Sequence, residues 1–134
     1  MKIDFAFLCD YAEALAKINA LGVGFDRLIA PQVPARHPHF ALVIQLRATV
    51  VETGEKTIEV HLIDDDGKSV LPPLRGKFGI NRPGEGDLES VGRVVMEFGN
   101  VEFPKYGNYS VRAVIEGLEM VNIGFKVIQP PPKR

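Results

Sequence analysis

The run Val94-Val95-Met96-Glu97-Phe98, the turn Pro104-Lys105-Tyr106-Gly107-Asn108 and the run Tyr109-Ser110-Val111-Arg112-Ala113-Val114-Ile115-Glu116 decide the fold class. Both flanks alternate with a period of two, the signature of half-buried strands. A Gly two residues before a Tyr that opens a strand is how many β-sandwiches round the corner between their two sheets. The expectation is an all-β chain, immunoglobulin-like in architecture: an antiparallel β-sandwich of about seven to nine strands.

The same period recurs outward from this stretch. Ile3 to Cys9 reads as the first strand, and Lys17 to Ile29 holds a second, bent at Gly22 and Gly24. In Phe40 to Val51, Leu42, Ile44, Leu46, Ala48 and Val50 face one way, with Gln45, Arg47 and Thr49 opposite. Thr57 to Ile63 follows, with Ile58, Val60 and Leu62 inward and Glu59 and His61 outward; the two segments are expected to form a hairpin. Asp66-Gly67 marks a turn, and Ser69 to Leu71 begins a strand that Pro72-Pro73 ends. Gly79 to Gly92 reads as the longest loop. Tyr109 to Glu116 and Val121 to Ile128 are expected to pair as a hairpin. Tyr11 to Ala20 is Ala-rich, and at most one short helical turn is expected there.

The chain has 134 residues, 46% of them hydrophobic and 25% charged, which fits one compact globular unit. Residues 1–128 are expected to form a single domain, and 129–134 a Pro-rich tail in which three consecutive prolines forbid a strand. With 16 basic and 17 acidic residues the net charge is −1, so no overall field favours nucleic acid or an anionic membrane. The apolar stretch near the amino terminus is interrupted by Asp4 and ended by Asp10, too short for a span or a signal core. Cys9 is the single cysteine, so no internal disulfide forms, and a cytoplasmic location is expected.

Few residues carry recognisable chemistry. Asp64, Asp65 and Asp66 before Gly67 are the candidate metal ligands, because calcium takes several carboxylate oxygens on loops. They lack the alternating spacing of an EF-hand loop, and an Asp-rich turn that solubilises a loop tip is the stronger reading. His37 and His39 flank Pro38, with His61 or Asp10 as a third ligand, but joint ligation by this pair is expected to be strained. Cys9 beside Asp10 lacks the positive surroundings that make a thiolate. Gly22-Val23-Gly24 lacks the third glycine of a dinucleotide fingerprint, since Arg27 stands there. No acid, base and nucleophile converge, so no catalytic residue and no cofactor is assigned.

Two surface features complete the reading. Glu59, His61, Ser110, Arg112, Glu116, Asn122 and Lys126 point outward from strands of one sheet; of these Glu59, His61, Arg112, Glu116 and Lys126 are the candidate interaction face. Val43, Val95, Val114 and Ile128 also fall on outward positions, which favours self-association or a partner.

Ala6-Phe7-Leu8-Cys9-Asp10-Tyr11-Ala12-Glu13, Gly22-Val23-Gly24-Phe25-Asp26-Arg27, Asp64-Asp65-Asp66-Gly67 and Gly107-Asn108-Tyr109 together resemble a family of short bacterial proteins known only as a domain of unknown function. The resemblance spans nearly the whole chain, with Phe25 where the family usually carries Trp. It implies a sandwich fold and a bacterial origin, and carries over no catalytic residue. The expected role is therefore a non-catalytic binding or structural module that forms a homodimer or docks a protein partner, without nucleic acid or membrane. The alternatives are a calcium- or ligand-dependent recognition domain using loops 64–67 and 79–92, and an enzyme with an unrecognised site.

Overall fold

The computed structural model describes residues 1–132 and is all-β. Among these residues ten strands follow in order: β1 (Lys2–Cys9), β2 (Tyr11–Ala14), β3 (Ile18–Leu21), β4 (Arg27–Ile29), β5 (Ala35–Thr49), β6 (Gly54–Asp64), β7 (Leu74–Ile80), β8 (Glu89–Phe103), β9 (Gly107–Ile115) and β10 (Leu118–Ile128). They form a three-stranded sheet ordered β1-β5-β8, a five-stranded sheet ordered β4-β10-β9-β6-β7, and the β2–β3 hairpin.

Burial explains this order. Phe40, Ala41, Leu42, Val43 and Ile44 are buried on both faces of β5, which makes β5 the centre of its sheet, between β1 and β8. β6 and β9 alternate cleanly, Ile58, Val60 and Leu62 lying beside Ile115, Ala113 and Val111. The inner faces of both sheets share one apolar core, to which each fully buried Leu, Ile or Phe contributes ~1.5–3 kcal/mol. At its centre Phe40 stacks on Phe98 with ring centroids 4.5 Å apart, and Phe25 and Phe125 meet Phe40 edge-on at 5.8 and 6.2 Å.

The β9–β10 hairpin is present as the alternation predicts. Several other expectations are corrected. The segment expected to hold a helical turn near 11–20 is the β2–β3 hairpin instead, and ten strands replace seven to nine. Ala12 and Ala20, which read as helical, are small because this hairpin lies on the outer face of the three-stranded sheet, over Cys9, Ala41 and Val43. Tertiary packing thus overrides local propensity. The hairpin also accounts for Val43 and Val95, whose outward parity places them beneath it.

β5 and β6 are not a hairpin: a short 3-10 turn, Val50–Glu52, carries the chain from one sheet to the other. Residues 69–71 make only an isolated bridge from Ser69 to Ile63, and the strand of that region is β7, after the prolines. The long loop narrows to 81–88, because β8 begins at Glu89. Gly92 belongs to this strand, where a Cβ would stand 3.2 Å from a Leu46 methyl, so the glycine permits close packing and marks no loop. One strand pair is parallel, β4 lying along Lys126, Val127 and Ile128 of β10. Of the Pro-rich tail, residues 129–132 carry no strand, and Lys133 and Arg134 lie outside the described residues.

Gly22 ends the β2–β3 hairpin at φ +65°, and a Cβ there would lie 2.1 Å from the Asp10 carboxylate. Gly22→Ala is therefore expected to cost about 1–2 kcal/mol through the left-handed backbone, and more if Asp10 cannot turn away. Denaturant unfolding reads it, and an unchanged midpoint would contradict the tight closure of this turn.

Candidate functional site

The corner between β8 and β9 is where the chain leaves the three-stranded sheet for the five-stranded one. Tyr109, 3% exposed, stands edge-on to Phe103 with ring centroids 4.9 Å apart and donates its hydroxyl to the Lys105 carbonyl at 2.6 Å. This is the tyrosine-corner geometry that the spacing of Gly107 and Tyr109 predicts. Tyr106 donates its own hydroxyl to the Ala30 carbonyl at 2.8 Å.

The acidic turn lies against this corner. Asp64 accepts backbone N–H bonds from Asp66 and Lys68, both at 2.9 Å, so its carboxylate shapes the turn. Those bonds, that of Lys68 foremost, together with the Lys105 charge hold the Asp64 carboxyl below its ordinary range. One oxygen from each of Asp64, Asp65 and Asp66 falls within a 4.8 Å cluster. The Lys105 ammonium sits among them, 2.8 Å from Asp66, 3.3 Å from Asp65 and 3.8 Å from Asp64. The carboxylates in turn hold that ammonium protonated well above the usual lysine range, Asp66 most strongly. One lysine thus joins the two turns, its carbonyl on Tyr109 and its side chain on the acidic tip.

The outward face of β6, β9 and β10 carries the predicted interaction residues, and the structure pairs most of them within the sheet. Glu59 lies 2.7 Å from His61 Nε2 and accepts from Arg75 Nε at 3.1 Å. Arg112 lies 3.6 Å from Glu119, and Thr57 donates to Glu116 at 3.1 Å. Lys126 stands beside Arg27 at the β4 border. A depression of about 510 Å³ opens on this face between Thr57, Glu59, Arg75, Lys77 and Val114. Glu59 with Arg75 and Arg112 with Glu119 each join opposite charges across neighbouring strands.

The histidines separate. Around Asn100, at φ +50°, the strand turns over, so that even positions up to Phe98 enter the core and Val101 and Phe103 do so beyond it. His37, opposite Val101, therefore packs on the Phe40 ring, whereas His39, opposite Gly99, lies against Tyr11 and bonds the Asp10 carbonyl at 2.8 Å. Burial pushes the His37 imidazole below its ordinary 6.5, and its Nε2 has no hydrogen-bond partner among the described residues. Because the unfolded chain then binds the proton more readily, His37 leaves stability intact above about pH 6.5 and erodes it as pH falls toward the lowered value. Replacing His37 by Gln is expected to flatten this part of the profile, measured as melting temperature against pH; an unchanged slope would assign the acid loss to other groups. Cys9 is fully buried, and burial first, then Asp10, raises its thiol, which makes it a poor nucleophile.

Sequence reasoning missed the edge of β8. This strand runs 15 residues in unbroken register with β5, and among the described residues no other strand pairs with it. The other edges of the two larger sheets are shorter or irregular: β1 carries a register shift between Ile3 and Phe5, β4 has three residues, and β7 has seven. The run Val94 to Phe98 reads as a strand in the sequence, while Gly92 reads as loop and hides the strand's extension back to Glu89.

A family model described as a family of unknown function (DUF6941) matches residues 4–128. The chain belongs to this family. The DUF6941 match therefore covers every strand from within β1 to the end of β10. No curated protein matches the chain. Two structures of a superoxide reductase (neelaredoxin) from Ignicoccus hospitalis are similar at 10% identity. Their TM-scores are 0.37 and 0.35, covering 96% and 93% of this DUF6941 chain and 82% and 83% of theirs. No helix among the described residues is long and apolar enough to cross a membrane.

Proposed function

We propose that this DUF6941 protein is a non-catalytic binding module of immunoglobulin-like sandwich type that self-associates as a homodimer. The observation that carries the reading is the 15-residue β8 strand, whose second edge is left without a partner strand among the described residues. Long open edges are templates for strand pairing, and natural proteins blunt those they do not use. The corner bond from Tyr109 to Lys105 and the core shared by two sheets support the immunoglobulin-like arrangement. A single buried thiol suits a reducing, cytoplasmic setting, with residues 1–128 acting as one domain. Light scattering tests the reading: a mass of twice the 14.8 kDa chain supports it, and a monomer at every concentration overturns it.

A second reading rests on the convergence of Asp64, Asp65 and Asp66: a recognition domain in which calcium takes this cluster and, with loop 81–88, shapes a binding surface. Calcium would then have to displace the Lys105 ammonium. Thermal stabilisation by millimolar calcium, lost in Asp64→Asn with Asp66→Asn, would favour this reading. The first reading expects melting temperature and mass to be unchanged by calcium.

A further inference from the structure

We infer that the homodimer forms by antiparallel pairing of β8 with β8 of a second copy, in a register centred on Val95; this rests on the self-association proposed above. Arg93, Val95 and Glu97 lie on the same outward side of β8, with Arg93 and Glu97 exposed and Val95 half-buried beneath the β2–β3 hairpin. Arg93 Nε donates to Gln45 at 3.0 Å and Glu97 stands 3.6 Å from His39 Nε2, contacts that hold both side chains on that side. The segment is thus antisymmetric in charge about Val95, and a two-fold axis through that residue superimposes each charge on its opposite. Arg93 then faces the partner's Glu97, Glu97 faces the partner's Arg93, and Val95 meets its own copy. Directly opposed unlike charges stabilise antiparallel pairs, and opposed like charges destabilise them.

Neighbouring registers fail this criterion. Centring on Arg93 sets that residue against its own copy and Glu89 against the partner's Glu97, while centring on Glu97 opposes two glutamates. Beyond the ion pairs, Glu89 meets the partner's Val101 and Val91 meets the partner's Gly99. The result is one continuous six-stranded sheet, because a two-fold axis normal to the sheet joins two copies of β1-β5-β8 edge to edge.

The test uses the full chain. Arg93→Glu and Glu97→Arg, each alone, oppose like charges twice and are expected to raise the dimer dissociation constant about tenfold or more, measured by sedimentation. An equimolar mixture of the two variants regains both ion pairs as a heterodimer, as does the double variant with itself. Val95→Cys, lying on the axis, is expected to give a covalent dimer on mild oxidation, and Val91→Cys none. A wild-type dimer that neither single variant weakens, without a cross-link at Val95, overturns the register and leaves self-association standing through another surface. A wild-type monomer overturns self-association itself.

Discussion

Phe40→Ala is expected to lower stability by about 3–5 kcal/mol, and melting temperature by roughly 10 °C or more. The ring is fully buried, stacks on Phe98 and is met edge-on by Phe25 and Phe125, which come from outside the three-stranded sheet. Its removal leaves a cavity at the seam of the two sheets, which cannot collapse without moving both. Phe40→Leu retains most of the apolar volume and is expected to recover about half of the loss. Denaturant unfolding measures both, and a loss below about 1 kcal/mol for Phe40→Ala would mean that the sheets do not share this seam.

Tyr109→Ala is expected to be comparably severe, at about 3–5 kcal/mol, because it removes a buried aromatic that packs on Phe103 and Phe125. Tyr109→Phe separates the two contributions. It keeps the ring and deletes only the hydroxyl that donates to the Lys105 carbonyl, for an expected cost of about 1–3 kcal/mol. That bond shapes the turn that carries the Lys105 ammonium to Asp65 and Asp66, so the loss extends to the acidic tip. In Tyr109→Phe, amide exchange at Asp66 and Lys68 is therefore expected to quicken relative to amides of β6. Equal protection in both proteins would show that the two turns are independent.

The sequence reveals most where a strand has one face in the core. In β6, β9 and β10 the inward residues follow the simple alternation, and the Tyr109 corner is readable from Gly107 and Tyr109. Legibility fails where the pattern depends on a third layer. Ala12 and Ala20 resemble a helix until the surface beneath them is known, and Val43 looks solvent-facing until the hairpin covers it. Gly92 resembles a loop residue because the reason for its smallness is Leu46, far away in sequence. The crossing of β5 to β6 between sheets leaves no mark in either strand. Among the candidate sites, the acidic run was visible in sequence, while Lys105 amid it was not, since 39 residues separate it from Asp66. The β8 edge was hidden for a related reason: its openness is a property of strand order, and strand order is not written in any single strand.

Amide hydrogen exchange of β8 as a function of protein concentration tests the central claim most directly, since it reports pairing at the edge itself. Exchange at the β8 amides that face away from β5 is expected to slow as concentration rises, while amides of β6 and β9, already laddered on both sides, stay constant. Concentration-independent exchange along the whole of β8 would contradict the account, whatever mass the protein shows in solution.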